Sequence, residues 1–259
     1  MLTICIFLLI VVLIVLIART QKLPVKLEKS SLAKDTGFNN LITSSYYINL
    51  DRKHERRRYM QSQFEKHDIN PERFSALDKK LLNRQKINDL KSQNIIAKDF
   101  NPKEYNGSIA CLMSHVNLWK RIYEEYEGGT FLIFEDDCKI LPGFKEKLNY
   151  YVARLPEKWD MVWLGYNKIK GKRYDDNLYV PEQGNNIGYN CQHHCYLVNY
   201  DSIPHIIKIL LPLTRSFKTK DKKLRYNFDR FKAFFLRERL AVQDMEHFPT
   251  SDRTGRKNG

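Results

Sequence analysis

Residues 130–137 read TFLIFEDD. Five strand-forming residues, set off upstream by Gly128 and Gly129, run straight into Glu135, Asp136 and Asp137. Three carboxylates at a strand end are costly to gather, because like charges a few ångströms apart raise one another's pKa unless a cation neutralises them. A hard divalent ion with oxygen ligands, Mn²⁺ or Mg²⁺, is the natural partner, and such an ion also takes phosphate oxygens from a substrate. The alternative is a solvated cluster of turn acids with helix-capping duty. Spacing alone does not separate the two.

Working outward, residues 44–50 (SSYYINL) are β-branched and aromatic and end at Asn49-Leu50-Asp51, which predicts a buried strand. Asp51 is placed to cap a charged helix over 52–67 with Met60 and Phe64 on its inner face. A short strand over 73–77, a polar helix over 80–93 and a loop over 94–105 follow. Residues 108–126 carry Ile109, Leu112, Met113, Val116, Tyr123 and Tyr126 at helical spacing, and Gly128-Gly129 stop that helix. Beyond the acids, a helix is predicted over 141–155, a strand over 160–165, a Gly/Asn-rich loop over 166–190, a strand over 192–199 and a helix over 202–211 with Pro204 in its first turn. Strands alternating with helices imply an α/β layer structure with a mainly parallel sheet. In such sheets ligands bind beyond the C-terminal strand ends, where both Asn49-Leu50-Asp51 and Glu135-Asp136-Asp137 fall.

The chain has 259 residues, 42% hydrophobic and 12% aromatic, which excludes disorder throughout and supports a real core. Five cysteines exclude a disulfide-built miniprotein. With 44 Lys plus Arg against 30 Asp plus Glu, the formal charge is +14. That balance suits nucleic acid, a membrane surface or an anionic small substrate. No zinc-finger spacing, Gly-rich phosphate loop or RNA-recognition motif accompanies it, so nucleic acid is not expected as a partner. The sharpest cluster is 215–225 (RSFKTKDKKLR), six basic residues against Asp221; it is a solvated loop, or it lies against membrane or phosphate.

Residues 2–18 (LTICIFLLIVVLIVLIA) are uncharged, and as a helix would span roughly 25 Å, enough for a thin bilayer. No basic start precedes them and Leu16-Ile17-Ala18 is a poor cleavage site, which favours a retained transmembrane anchor over 1–18 above a cleaved signal or a core helix. Residues 19–43 form a basic tether, and 44–259 one catalytic domain. The expected location is a single-pass membrane protein of the secretory pathway, endoplasmic reticulum or Golgi-type, or an equivalent membrane. Arg19, Lys22, Lys26 and Lys29 bias this flank to the cytosol, so the side on which the domain lies stays open.

Three segments in order, 47–57 (YINLDRKHERR), 107–119 (GSIACLMSHVNLW) and 131–137 (FLIFEDD), resemble glycosyltransferase family 25, the lipooligosaccharide and procollagen galactosyltransferase family. Weaker echoes continue in 159–165 (WDMVWLG), 195–198 (CYLV), Phe228-Asp229 and Ser251-Asp252. The resemblance implies a GT-A-like, Rossmann-type nucleotide-sugar fold and an inverting transfer of a hexose, usually galactose, from a UDP-sugar. It places Glu135 and Asp137 where the family has its Asp-x-Asp-type motif, with Asp137 a ligand of Mn²⁺ and Glu135 nearer the ribose; Asp136 belongs to the same donor site. Asn49, Asp51 and Arg52 would line the nucleotide pocket, Arg56 would brace the first helix or reach phosphate, and Ser114 and His115 would shape the donor site. Asp229 would be the general base; its alternative is to cap a helix over 230–239.

Cys191-Gln192-His193-His194-Cys195 invites a zinc reading, but no second ligand pair has zinc-like spacing. Strand alternation would put Cys191, His193 and Cys195 on one face and His194 on the other, towards the donor pocket; a disulfide is the remaining alternative. Asn106-Gly107-Ser108 is a glycosylation sequon if lumenal and a helix-starting turn otherwise. Ala110 replaces a common family glycine, and 241–252 departs from the family on the acceptor side. The acceptor could therefore be a glycan, a lipid-linked saccharide or a hydroxylysine of a collagen-like chain. A catalytically inactive relative that binds saccharide or protein is the competing class.

Overall fold

Strand β1 (Ser44–Asn49) is buried at all six residues, as a central strand with helices on both faces must be. The computed structural model describes residues 38, 40–101, 105–166, 171–182, 193–217 and 219–249. The apolar run 2–18, most of the tether, Cys191, Ser251 and Asp252 lie outside the described residues. Among the described residues no helix is long and apolar enough to cross a membrane.

The remaining main-sheet strands are β2 (Glu72–Ser75), β3 (Thr130–Glu135), β5 (Met161–Trp163), β6 (Gly171–Arg173), β7 (Leu178–Pro181), β8 (Cys195–Asn199) and β9 (Ala233–Leu236). Their order is β2-β1-β3-β8-β5-β9-β7-β6. A two-stranded antiparallel ribbon joins β4 (Cys138–Ile140) to β10 (Ala241–Gln243) just past the acids.

Side-chain alternation along the strands feeds two cores. Tyr46, Ile48, Phe131, Ile133, Met161, Trp163, Tyr196, Val198, Ala233 and Phe235 enter the first. Tyr47, Leu132, Phe134, Val162, Leu197, Phe234 and Leu236 enter the second. Helices α2 (Arg84–Ser92), α3 (Asn106–Glu125), α5 (Ile203–Leu210) and α6 (Lys220–Arg225) cover the first face. Helices α1 (His54–Lys66) and α4 (Phe144–Val152) cover the second. The result is a three-layer, Rossmann-like α/β fold.

Several expectations change. The sheet is mixed: β8 pairs antiparallel with both β3 and β5, and β7 antiparallel with β6 and β9. Helix α1 starts at His54 without a side-chain cap, because Asp51 accepts hydrogen bonds from Arg73 and Ser75 instead. The stretch 80–93 divides into a 3₁₀ turn (Lys79–Leu81) and α2, whose cap is Asn83, accepting from the Lys86 amide. The stretch 141–155 is shortened at its front, since Gly143 in the left-handed conformation precedes α4. The Gly/Asn-rich loop contains the β6–β7 hairpin. The helix considered over 230–239 is absent; Phe234 and Phe235 instead supply both faces of β9.

Gly165 follows β5 where backbones close in. A Cβ there would lie 2.3 Å from His194 Nε2 and 3.0 Å from the Ala241 carbonyl. Gly165→Ala should therefore destabilise the protein by about 1–3 kcal/mol, read as a lower urea midpoint with unchanged slope.

Candidate functional site

Strands β1 and β3 are parallel neighbours in a register that pairs Ile48 with Glu135, so Asn49 and the acidic triplet emerge side by side at their C-terminal ends. The pocket there encloses about 700 Å³, its open mouth included. Ile48, Leu50 and Leu77 give it apolar wall, Arg52, Arg56 and Lys79 give it positive charge, and Ser114, His115 and the three acids complete it.

The alternation that fills two cores also parts the acids. Glu135 shares a face with Phe131 and Ile133, and Asp136 shares one with Leu132 and Phe134. Each face meets a cation from its own helical layer. On the first, Lys220 Nζ from α6 lies 3.2 Å from Glu135 Oε1 and 2.7 Å from His115 Nε2. On the second, Arg56 of α1 donates from one nitrogen to Asp136 Oδ1 at 2.8 Å and lies 3.3 Å from Asp137 Oδ2. Asn49 donates to the other oxygen of Asp136 at 2.8 Å. Asp137 Oδ2 accepts from Gln243 at 3.0 Å, whereas its Oδ1 is buried without a hydrogen-bond partner among the described residues.

These neighbours set the protonation states. Against the cost of burial, the Lys220 ammonium and the contact with His115 hold the Glu135 carboxyl well below the usual carboxylate range. Burial and then the Glu135 charge push Asp137 up to about 6, with Arg56 pulling the other way. Burial and the Lys220 charge bring His115 down to about 4. His115 Nε2 sits between the Lys220 ammonium at 2.7 Å and Glu135 Oε1 at 2.9 Å, and its Nδ1 meets the Tyr196 hydroxyl at 2.8 Å. Trp119 donates to that same hydroxyl at 3.0 Å.

The other expected residues are distributed unevenly. Arg52 lines the pocket and is held by Asp78 at 2.5 Å. Ser114 accepts from the Leu77 amide and donates to the Ala110 carbonyl, tying α3 to the segment after β2. Asp51 sits on the rim, its side chain 75% exposed and paired with Arg73, outside the pocket lining. Asp229 is exposed in a 3₁₀ turn (Phe228–Arg230) that leads into the N-terminal end of β9. It is not among the pocket residues, so the fold does not bring the expected base to the acids.

His193 and His194 precede β8, so strand alternation does not govern them. His193 turns to the first face, packs on Trp163 and Tyr196, and meets Asp221 at 2.7 Å; Cys195 goes to the second face. His194 packs against Gly165 and does not line the pocket. Cys138 and Cys195 are free thiols.

Lys220, Lys79, Gln243 and Cys111 were not anticipated as site residues. The signal for Lys220 was Leu224, the lone aliphatic residue among 218–225, which puts Lys220 on the buried side one turn earlier. The donor chemistry fits a hard divalent cation: Glu135 and Asp137 offer oxygens, and Asp137 Oδ1 has no donor among the described residues. Among the described residues the groupings of three ligand atoms close to one another are Cys111–His115–Glu135, which shares Glu135, and Asp244–Glu246–His247; the acidic triplet itself is not one of them.

The raised Asp137 pKa carries a sign. Between the ordinary carboxylate value and about 6 the folded state binds the extra proton, so this group's contribution to stability falls as pH rises through that window. Asp137→Asn in the presence of EDTA should raise Tm by a few degrees at pH 7, with the gain vanishing towards pH 4. Arg56→Met, which takes the cation from buried Asp137 and half-buried Asp136, should cost about 3–5 kcal/mol in denaturant titration.

The sequence profile of glycosyltransferase family 25 (LPS biosynthesis protein) matches residues 42–196. A glycosyltransferase 25 family member of Anopheles gambiae is 29% identical over 171 residues, covering 62% of this chain and 29% of that protein. Procollagen galactosyltransferase 2 of Homo sapiens is 27% identical over 136 residues, covering 49% of this chain and 21% of its own length. The procollagen lysyl hydroxylase and glycosyltransferase of Acanthamoeba polyphaga mimivirus is 28% identical over 101 residues, covering 37% of this chain and 10% of that protein. The chain thus spans less than a third of the length of each of these relatives.

Proposed function

The chain belongs to glycosyltransferase family 25, and from that premise we propose that it is a metal-dependent, inverting hexosyltransferase. Its donor is a UDP-sugar, UDP-galactose or UDP-glucose. Its acceptor is a hydroxyl of a glycan, a lipid-linked saccharide or a hydroxylysine in a collagen-like chain, the last suggested by the procollagen relatives. A membrane tether through residues 2–18 goes with the same proposal. The observation that carries it is the acidic triplet at the end of β3, beside Asn49 of β1, with cations fixed beneath it.

The pocket's parts suit such a donor. Ile48, Leu50 and Leu77 offer a face to the base, and Arg52 and Lys79 stand where phosphate charge needs cover. Glu135 and Asp137 would hold Mn²⁺ or Mg²⁺, which when bound supplies Lewis-acid neutralisation of the departing diphosphate. Gln243 and Arg56 fix the Asp137 carboxylate, and Asn49 and Arg56 take both oxygens of Asp136. Asp136 is thereby a structural member of the triplet. Displacement with inversion also needs a base to take the acceptor's proton; geometry lends Asp229 no support in that role.

The test follows UDP release by the full chain in detergent from UDP-galactose and UDP-glucose, with hydroxylysine peptide or saccharide acceptors, in Mn²⁺ or in EDTA. Turnover should require the metal and fall about 100-fold or more in Asp137→Ala. No UDP release with any acceptor, together with no thermal shift by UDP and Mn²⁺, would overturn the proposal in favour of a binding module.

A further inference from the structure

Lys220 opens α6 with its side chain 2% exposed, and it does not line the pocket. It stands behind Glu135, reaching Oε1 at 3.2 Å and His115 Nε2 at 2.7 Å. Its backbone is fastened on both sides. The Thr219 hydroxyl accepts from the Lys222 amide at the helix start, and Asp221 meets buried His193 at 2.7 Å. The ammonium is thus fixed behind the site, against Glu135 and His115.

Three carboxylates meet two built-in cations at the end of β3, Lys220 on one face and Arg56 on the other. These direct contacts leave one unit of negative charge, which Lys79 on the pocket lining offsets further. A divalent ion held by oxygen ligands needs more than that, because its own charge is also repelled by the ammonium behind Glu135. A diphosphate brings the missing oxygens and charge.

We propose that Lys220 is a positioning residue that sets the order of assembly at this site: its ammonium keeps Glu135 and Asp137 from holding a divalent cation alone, so that the cation is held only together with a nucleoside diphosphate. The inference rests on the metal-dependent function proposed above. By linkage, the factor by which UDP tightens the metal is the factor by which the metal tightens UDP. Removing the Lys220 charge shrinks that factor.

Mn²⁺ binding to the full chain, followed by the loss of the free-ion paramagnetic resonance signal with and without UDP, tests this directly. The variants are Lys220→Met, Lys220→Gln and Lys220→Arg. Gln keeps a donor for His115 Nε2, so it stands in if the Met variant fails to fold. Wild type and Lys220→Arg should bind Mn²⁺ weakly alone and at least about tenfold more tightly with UDP. Lys220→Met or Lys220→Gln should bind Mn²⁺ alone at least about tenfold more tightly than wild type, with correspondingly less gain from UDP. A merely structural role would lower Tm and leave that ratio unmoved. Equal Mn²⁺ binding by wild type and the neutral variants overturns the inference and leaves the metal reading standing. No Mn²⁺ binding by any of them, even with UDP, overturns the metal reading and this inference together.

Discussion

Carboxylates gathered at the end of a buried strand need counter-charge from within the protein before any ligand arrives, and the alternation of a β-strand decides where that charge comes from. Glu135 and Asp136 leave β3 on opposite faces, so one cation cannot serve both. Each helical layer supplies its own, Arg56 from α1 and Lys220 from α6. Much of the surrounding structure serves to hold those two side chains. Phe248 lies over the Arg56 guanidinium at 4.7 Å, while Thr219 and Asp221 bracket Lys220. Asp137, last of the three, shares with Asp136 a single Arg56 nitrogen, 3.3 Å away, and accepts from the amide of Gln243; burial prevails there and its proton is held to about 6.

The direction of β8 matters as much as the acids. Because β8 runs against β3 and β5, its N-terminal approach arrives at the same edge where β1 and β3 end. The Glu135 amide donates to the His194 carbonyl at 2.9 Å, and His193 comes to lie beside His115, ring centres 6.0 Å apart. A parallel strand at that place would have brought its other end to the site. Behind His115, which lines the pocket, lie the rings of His193, Tyr196, Trp119 and Trp163, joined by hydrogen bonds through the Tyr196 hydroxyl and by edge contacts. Neutral rings of this kind keep water away from a carboxylate without adding charge to it.

What could be read from the sequence and what could not divide along physical lines. The strands ending at Asn49 and Glu135 were legible because their apolar runs are long and uninterrupted, and their shared edge followed from the α/β pattern. Helix α3 was legible from its period. Strand direction was not, since an apolar run such as 195–198 reads alike either way. The segment 230–239 was misjudged because its charged flanks mimic a helix, while Phe234 and Phe235 are the residues that two opposite cores demand of a strand. Asp51 looked like a cap, yet Arg73 and Ser75, one strand over, claim it. The basic run 215–225 hid Lys220, the partner of Glu135, among like neighbours. Local sequence does not distinguish a solvated lysine from one whose partners, Glu135 and His115, lie 85 and 105 residues away.

The place of β8 between β3 and β5 also bears on how the chain comes to be folded at all. The group β2-β1-β3 and the group starting with β5 share no hydrogen bonds across the sheet except through β8, and residues 195–199 are synthesised after both β3 and β5. Until they arrive, β3 presents an open edge, and Glu135 still lacks the lysine that follows 85 residues later. An N-terminal fragment ending shortly after the acidic triplet would thus carry the three acids with neither a closed sheet nor the lysine that pairs with Glu135. The ends of β1 and β3 thus depend on β8 and α6, elements that follow them in the chain.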